Sequence, residues 1–147
     1  MARIAHIASG FYRVPLPTVL TDSTHGEMRA FELCTVRLRD ADGAEGVGYT
    51  FTVGRNGGAV ADILAREVPE ILAGEDADLI EQLWQKLWWA LHYGGRGGPT
   101  VLAISAVDMA LWDLKARRLD TPLWRLLGGY DRKVPCYAGG IDLELSL

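Results

Sequence analysis

Cysteine and clustered histidine are scarce in this sequence, and each shortage removes a class of protein. The two cysteines, Cys34 and Cys136, form no CxxC motif and have no Cys/His spacing of a zinc site. We expect two free thiols in a reducing cytosol. The histidines His6, His25 and His92 are neither four residues apart nor part of an HExxH motif, so we expect no metal site built from this chain.

Long apolar runs and an excess of one charge are also absent. No segment approaches the roughly 20 apolar residues that a transmembrane helix needs, and the first twenty residues lack the apolar run of a signal peptide. Fifteen Lys and Arg against nineteen Asp and Glu give a net charge of −4, which gives no electrostatic reason to bind nucleic acid or an anionic membrane. We therefore expect a cytoplasmic globular protein without nucleic-acid or membrane partners.

The first fifty or so residues have the period of β-strands. In residues 30–39 apolar side chains alternate with polar ones, and a turn with Gly43 at its end follows at once. Pro15 and Pro17 should end the pairing of the first strand, which leaves residues 18–27 as a polar loop. This pattern predicts a three-stranded antiparallel meander, with strands at residues 3–14, 30–39 and 46–53.

The next seventy-five residues have helical spacing. Apolar stripes predict a first helix that Pro69 breaks or kinks, a second that begins with a capping box at Asp78 and Glu81, and a third over residues 100–119. Pro122 then begins a short helix that Gly128 or Gly129 ends. The fold class is therefore α+β, a three-stranded antiparallel meander followed by a helical bundle.

Two aromatic or glycine-rich segments could indicate ligand binding. The loop YGGRGGP at residues 93–99 lacks the Gly-Lys-Ser/Thr of a phosphate loop, which favours a helix–helix connection and leaves open a ligand-facing loop with Arg96. Trp84 and Trp88 lie on an apolar stripe, which favours core packing over base or sugar stacking.

The charged candidates do not form a catalytic centre on this basis. Asp108 and Asp113 project about 140° apart on one helix, so structural pairing with Lys or Arg is favoured over shared catalysis. His25 lies in a polar loop beside Asp22, where solvation is the commoner role and a functional one stays open. No Ser-His-Asp or Cys-His nucleophile is evident, so the residues alone predict no catalytic machinery.

The segment AISAVDMALWDLKARRLDTPLWRLLGG at residues 103–129 resembles a known signature. The N-terminal domain of the mandelate racemase/muconate lactonizing enzyme family of the enolase superfamily carries A-x-x-A-V/I-D-x-A-x-W-D, followed by Pro-Leu and Leu-Leu-Gly. The matching positions here are Ala103, Ala106, Val107, Asp108, Ala110, Trp112, Asp113, Pro122, Leu123 and Leu126 to Gly128.

The resemblance implies a capping domain of an enzyme whose catalytic residues lie elsewhere. In the family a (β/α)₈ barrel of about 250 residues binds Mg²⁺ and abstracts a proton α to a carboxylate. The resemblance therefore divides this chain into a capping domain at residues 1–129 and a linker at 130–147 that holds at most the first barrel strand, near residues 133–138. We expect no catalytic residue and no activity from this chain alone, with Mg²⁺ bound by the barrel. The barrel-facing sides of Trp112, Trp124 and Leu127 should then be exposed or hidden by self-association.

By position, the family's two substrate-selecting loops correspond to residues 18–27 and 50–57. The resemblance assigns substrate contacts first to His25, Arg55 and Tyr49, and then to Asp22, Thr24 and Thr52. These polar loops favour a hydroxylated carboxylate, so an acid-sugar dehydratase is the first expectation and a racemase or epimerase the second. A homo-oligomer is expected. The alternative is a freestanding binding or dimerising module derived from such a domain.

Overall fold

The computed structural model describes residues 2–137 and contains the predicted antiparallel sheet, in the order β1–β2–β3. The strands are β1 (Ile4–Asp22), β2 (Gly26–Asp40) and β3 (Glu45–Thr52). Gly43 has a φ of +91° in the turn between β2 and β3, a conformation that favours glycine. The three-stranded meander is confirmed.

The first strand is longer than predicted. It passes through Pro15 and Pro17 to Asp22, so most of the expected polar loop at residues 18–27 is strand, and only Ser23 to His25 form a turn. The proline rule failed because β1 lies at the edge of the sheet and its register shifts between Pro15 and Leu20. A proline without an N–H is tolerated where an edge strand pairs irregularly.

The helices follow in the predicted order, with two local corrections. The first predicted helix is divided into α1 (Gly57–Asp62), a π-helical turn (Ile63–Glu67) and α2 (Val68–Leu72). Helical structure therefore continues past Pro69. The π turn immediately before Pro69 rearranges the hydrogen bonding where proline cannot donate. The predicted capping box is wrong, because α3 (Ile80–Leu91) begins after Leu79 and no side chain caps it.

The long helix α4 (Pro99–Arg118) packs on the inner face of the sheet. Gly46 and Gly48 allow this close approach. A Cβ atom at Gly48 would lie 1.9 Å from the carbonyl oxygen of Ala106, and one at Gly46 would lie 2.2 Å from that of Ala110. The core between sheet and helices includes Cys34, Val36, Leu38, Leu64, Leu83, Leu87, Val107, Leu111 and Leu114.

A charged contact joins the end of β2 to the end of α4. The carboxylate of Asp40 is buried and accepts hydrogen bonds from the Arg118 guanidinium and from the backbone N–H groups of Asp42 and Ala44. Burial alone would raise the pKa of Asp40, but these hydrogen bonds and the Arg118 charge outweigh it and hold that pKa below its ordinary value. The contact fixes the turn between β2 and β3 against the helix.

The described chain ends in a short helix α5 (Leu123–Leu126) and an irregular segment. Trp124 and Leu127 are exposed as predicted, whereas Trp112 is only partly exposed. Residues 133–137 of the predicted barrel strand form no strand. Its last residue, Ala138, and residues 139–147 lie outside the described residues. The division at residue 129 remains a prediction. No helix within residues 2–137 is long and apolar enough to cross a membrane.

Candidate functional site

The tip of the β1–β2 hairpin holds an aspartate and a histidine in contact. His25 Nδ1 lies 2.7 Å from Asp22 Oδ2, and the other carboxylate oxygen accepts hydrogen bonds from the backbone N–H groups of Thr24 and His25. These bonds, with that from the backbone of His25 the largest contribution, lower the pKa of Asp22. The hydroxyl-bearing side chain of Thr24 is exposed beside them. The tip therefore presents an oriented imidazole to solvent.

The second loop, predicted at residues 50–57, covers only residues 53–56, because residues 50–52 belong to β3 and Gly57 begins α1. One side chain that the sequence pattern did not reveal holds this loop at both ends. Glu32 Oε2 accepts hydrogen bonds from Thr52 Oγ1 at 2.8 Å and from the backbone N–H of Gly57 at 3.0 Å. Glu32 is the charged residue in the inward-facing series that runs from Met28 to Leu38. A charge on the buried side of a strand was the available signal, since such groups are retained where they are hydrogen-bonded.

Arg55 projects from this second loop. Its side chain is exposed, and no carboxylate within residues 2–137 forms an ion pair with it. Asn56, next to it, adopts a φ of +67° before α1 begins. The guanidinium fork is therefore available for an anionic group such as a carboxylate.

The two loops lie apart along the sheet, and Tyr49 lies further still from the hairpin tip. Thr52 pairs with Glu32 and Tyr49 pairs with Thr35, whereas the hairpin tip begins at Gly26. At roughly 3.3 Å per residue this places Thr52 about 20 Å, and Tyr49 about 30 Å, from the tip along β2. The second loop itself reaches back to Ala30, because a Cβ atom on Gly54 would lie 3.7 Å from the Ala30 carbonyl oxygen, and Ala30 is roughly 13 Å from the tip. Tyr49 is exposed on the outer face of the sheet. No hydrogen bond among the described side chains joins the two loops.

The remaining charged candidates have structural surroundings. Asp113 binds Arg117 at 2.8 Å and accepts a hydrogen bond from the backbone N–H of Val47, as the pairing hypothesis predicted. That hypothesis is wrong for Asp108, which has no cation beside it among residues 2–137; its burial, and then the charge of Glu81, raise its pKa. Asp108 lies on the side of α4 that faces α3, which explains both its burial and the effect of Glu81, a residue of α3.

The aromatic and glycine-rich candidates are also accounted for by packing. Trp84 and Trp88 stack on each other with ring centroids 5.3 Å apart and pack against the core. The glycine-rich segment connects the 3₁₀ turn at His92–Gly94 to α4, as a helix–helix connection should, and Arg96 lies over Trp89. No ligand site is required to explain either segment.

The described residues do not fit a metal centre. Within residues 2–137 no three His, Cys, Asp or Glu side chains are grouped so that they could hold a metal ion. An oriented imidazole, an unpaired guanidinium and several hydroxyl groups can bind and orient a small anion.

Comparison with known proteins identifies the fold family. Residues 11–128 match the model of the mandelate racemase/muconate lactonizing enzyme N-terminal domain. The chain belongs to this family. The signature at residues 103–129 and the meander with its helices are therefore those of an enolase-superfamily capping domain.

Family members that resemble this chain act on sugar acids. It is 60% identical over 98% of its length to a 3,6-anhydro-α-L-galactonate cycloisomerase of Streptomyces coelicolor, and 37% identical over 92% to an L-talarate/galactarate dehydratase of Salmonella typhimurium. The crystal structure of a racemase from Streptomyces coelicolor with bound magnesium matches 97% of the chain with a TM-score of 0.93 and 59% identity.

These relatives are longer than the chain. It spans 40% of the cycloisomerase, 35% of the dehydratase and 40% of the racemase chain. The family match therefore covers the capping domain, and what the relatives do as whole enzymes extends to this chain only as a proposal.

Proposed function

We propose that this chain is the substrate-selecting capping domain of a Mg²⁺-dependent sugar-acid enzyme and is inactive on its own. The observation that carries the proposal is the placement of His25 and Arg55. Both are exposed polar groups on two separate loops, and each loop is fixed to the sheet by a carboxylate, Asp22 in one and Glu32 in the other. An imidazole and a guanidinium are suited to the hydroxyl and carboxylate groups of a sugar acid.

The reaction would be carried out by a barrel outside residues 1–147. In that barrel Mg²⁺ would stabilise the charge formed when a proton α to a carboxylate is removed. Within this class we place cycloisomerisation of an anhydro sugar acid first, because the relative at 60% identity is named for that reaction. Dehydration of an acid sugar, which the sequence analysis placed first, is second on the basis of the relative at 37% identity. A racemase or epimerase is the third member of the class.

The loops would act by closing over the barrel mouth. A lid of this kind excludes water and positions the substrate before the chemical step. His25 and Arg55 would make the principal contacts, with Thr24 behind His25 and Thr52 behind Arg55. Tyr49, which sequence analysis grouped with them, lies on the outer face of the sheet and too far from the hairpin tip to share their ligand. In the assembled enzyme the barrel would cover the exposed side chains of Trp124 and Leu127. A homo-oligomer is part of the same proposal.

A chimera tests the proposal. Residues 1–129 would replace the corresponding domain of the Streptomyces coelicolor cycloisomerase, and kcat/KM would be measured with 3,6-anhydro-α-L-galactonate and with galactarate. We expect an active chimera, no turnover by residues 1–147 alone, and a loss of about tenfold or more in kcat/KM in Arg55→Ala, the size expected for losing a hydrogen bond to a charged group. Arg66→Ala, which removes an exposed helical arginine paired with Asp62, is the matched control.

The alternative is a freestanding binding or dimerising module. It predicts that residues 1–147 are a folded monomer or dimer that binds its ligand without any barrel. A sugar acid bound by the isolated chain at micromolar concentration, with Arg55→Ala having no effect in the chimera, would favour this alternative over the capping-domain proposal.

A further inference from the structure

The carboxylate of Asp22 makes three contacts inside the hairpin turn. One oxygen accepts the two backbone N–H groups of Thr24 and His25, and the other contacts His25 Nδ1 at 2.7 Å. The neighbouring charges Glu27 and Arg29 bind each other at 2.5 Å and make no hydrogen bond to this pair. Asp22 therefore holds both the turn and the imidazole.

This contact fixes which nitrogen of His25 carries the proton. An ionised carboxylate can only accept hydrogen bonds, so in the neutral imidazole Nδ1 must be the donor and Nε2 is left without a proton. Lowering of the pKa of Asp22 by the backbone hydrogen bonds keeps the carboxylate ionised at neutral pH. The His25 side chain is half exposed, and no described residue forms a hydrogen bond with its Nε2.

We infer that Asp22 is a positioning residue that turns His25 Nε2 into a hydrogen-bond acceptor, and that His25 thereby recognises a hydroxyl group of the substrate. The inference rests on the proposed function, because it names the chemical group of the substrate that one of the two loops recognises. A neutral imidazole that accepts at Nε2 pairs with a hydroxyl donor, whereas a carboxylate has no proton to give. Recognition of the carboxylate is left to Arg55, whose guanidinium donates only.

Asparagine at position 22 reverses the donor and acceptor without removing the turn. In Asp22→Asn the amide oxygen can keep both backbone N–H groups, while the amide nitrogen replaces the oxygen beside His25 and donates to Nδ1. The neutral imidazole must then carry its proton on Nε2. The variant thus exchanges an acceptor for a donor at the exposed nitrogen of His25.

The first measurement uses residues 1–147 and does not depend on the proposed function. Long-range ¹H–¹⁵N spectra of the histidine rings, recorded above the titration range of imidazole, distinguish protonated from unprotonated ring nitrogens. We expect Nδ1–H for His25 in the unaltered chain, Nε2–H in Asp22→Asn, and the unaltered pattern in Asp62→Asn, the matched control on α1. An Nε2–H ring in the unaltered chain, or no change in Asp22→Asn, overturns the inference.

The second measurement uses the chimera with galactarate and adipate as competing ligands. Adipate has the same six carbons and two carboxylates as galactarate but no hydroxyl groups. We expect His25→Ala, which removes the acceptor without creating a donor, to weaken galactarate binding about three- to tenfold, the size of one neutral hydrogen bond, and to leave adipate binding unchanged. Equal weakening of both ligands, or of neither, overturns the hydroxyl assignment. An inactive chimera with the expected tautomers contradicts the proposed function instead.

Discussion

The two faces of the sheet come from the same strands but have different surroundings. On the inner face Cys34, Val36 and Leu38 are completely buried beneath α4 and its neighbours. On the outer face Tyr12, Tyr49 and Phe51 are each more than half exposed, and no described element covers them. Because side chains alternate along a strand, neighbouring residues in the sequence lie on opposite faces and so in different environments.

The difference shows what this chain completes by itself. The chain's own helices cover the inner face, and Gly46 and Gly48 allow the backbone of α4 to approach it closely. The outer face carries an apolar cluster of Val14, Phe31, Leu33 and Phe51 that is open to solvent among the described residues. Substitutions should therefore destabilise the fold strongly on the inner face and weakly on the outer face.

The largest difference is expected from matched glycines. Gly48→Val should cost more than about 4 kcal/mol of unfolding free energy, because its side chain would collide with the backbone of α4 at Ala106. Gly10→Val on the outer face meets only the ends of the Tyr12 and Thr35 side chains, which can rotate away. Urea unfolding followed by circular dichroism measures both, and equal losses would contradict the comparison.

A smaller difference is expected from two leucines on β2. Leu38 is completely buried and Leu33 is partly exposed in the outer apolar cluster. Leu38→Ala should lose about 3 kcal/mol through lost transfer energy and a cavity, whereas Leu33→Ala should lose about 1 kcal/mol or less. Should Leu33→Ala prove as costly as Leu38→Ala, the outer face must be covered in solution by something outside residues 2–137.

The meander and the helices could be predicted from sequence because their signals are local. Alternation over residues 30–39 and the stripe on α4 both report burial directly. The errors arose where tertiary context overrides a local rule. Pro15 and Pro17 remain in an edge strand. The interruption predicted at Pro69 is present as the π turn Ile63–Glu67, after which Pro69 lies in the first turn of α2.

The candidate site was less predictable, because pattern reasoning identifies polar loops and not their internal contacts. His25 and Arg55 were identified by position, but the roles of Asp22 and Thr52 in holding the loops depend on hydrogen bonds that span a turn or two strands. Glu32 was missed for the same reason. Its partners, Thr52 and Gly57, lie twenty or more residues away in sequence.

A third difference, which also depends on pH, should come from two carboxylates at the turn. Asp40 on the inner face is buried and bound to Arg118, whereas Glu45 on the outer face binds Arg39 at the surface. Asp40→Ala should cost about 2 kcal/mol at pH 7, because it leaves backbone N–H groups and a partly buried guanidinium without their acceptor. Glu45→Ala should change the unfolding midpoint little, because exposed ion pairs are screened by solvent.

The pH dependence separates this ion pair from simple loss of packing. The pKa of Asp40 is lower in the folded chain than in the unfolded one, so its contribution is complete above the unfolded value of about 3.9 and is lost as the pH falls through the folded value. The difference in unfolding free energy between the unaltered chain and Asp40→Ala should therefore be constant from pH 7 to pH 5 and shrink below pH 4. If the difference were unchanged at pH 3, the charge of Asp40 would contribute nothing to the unfolding free energy. The inner face would then be stabilised by packing without a charge contribution.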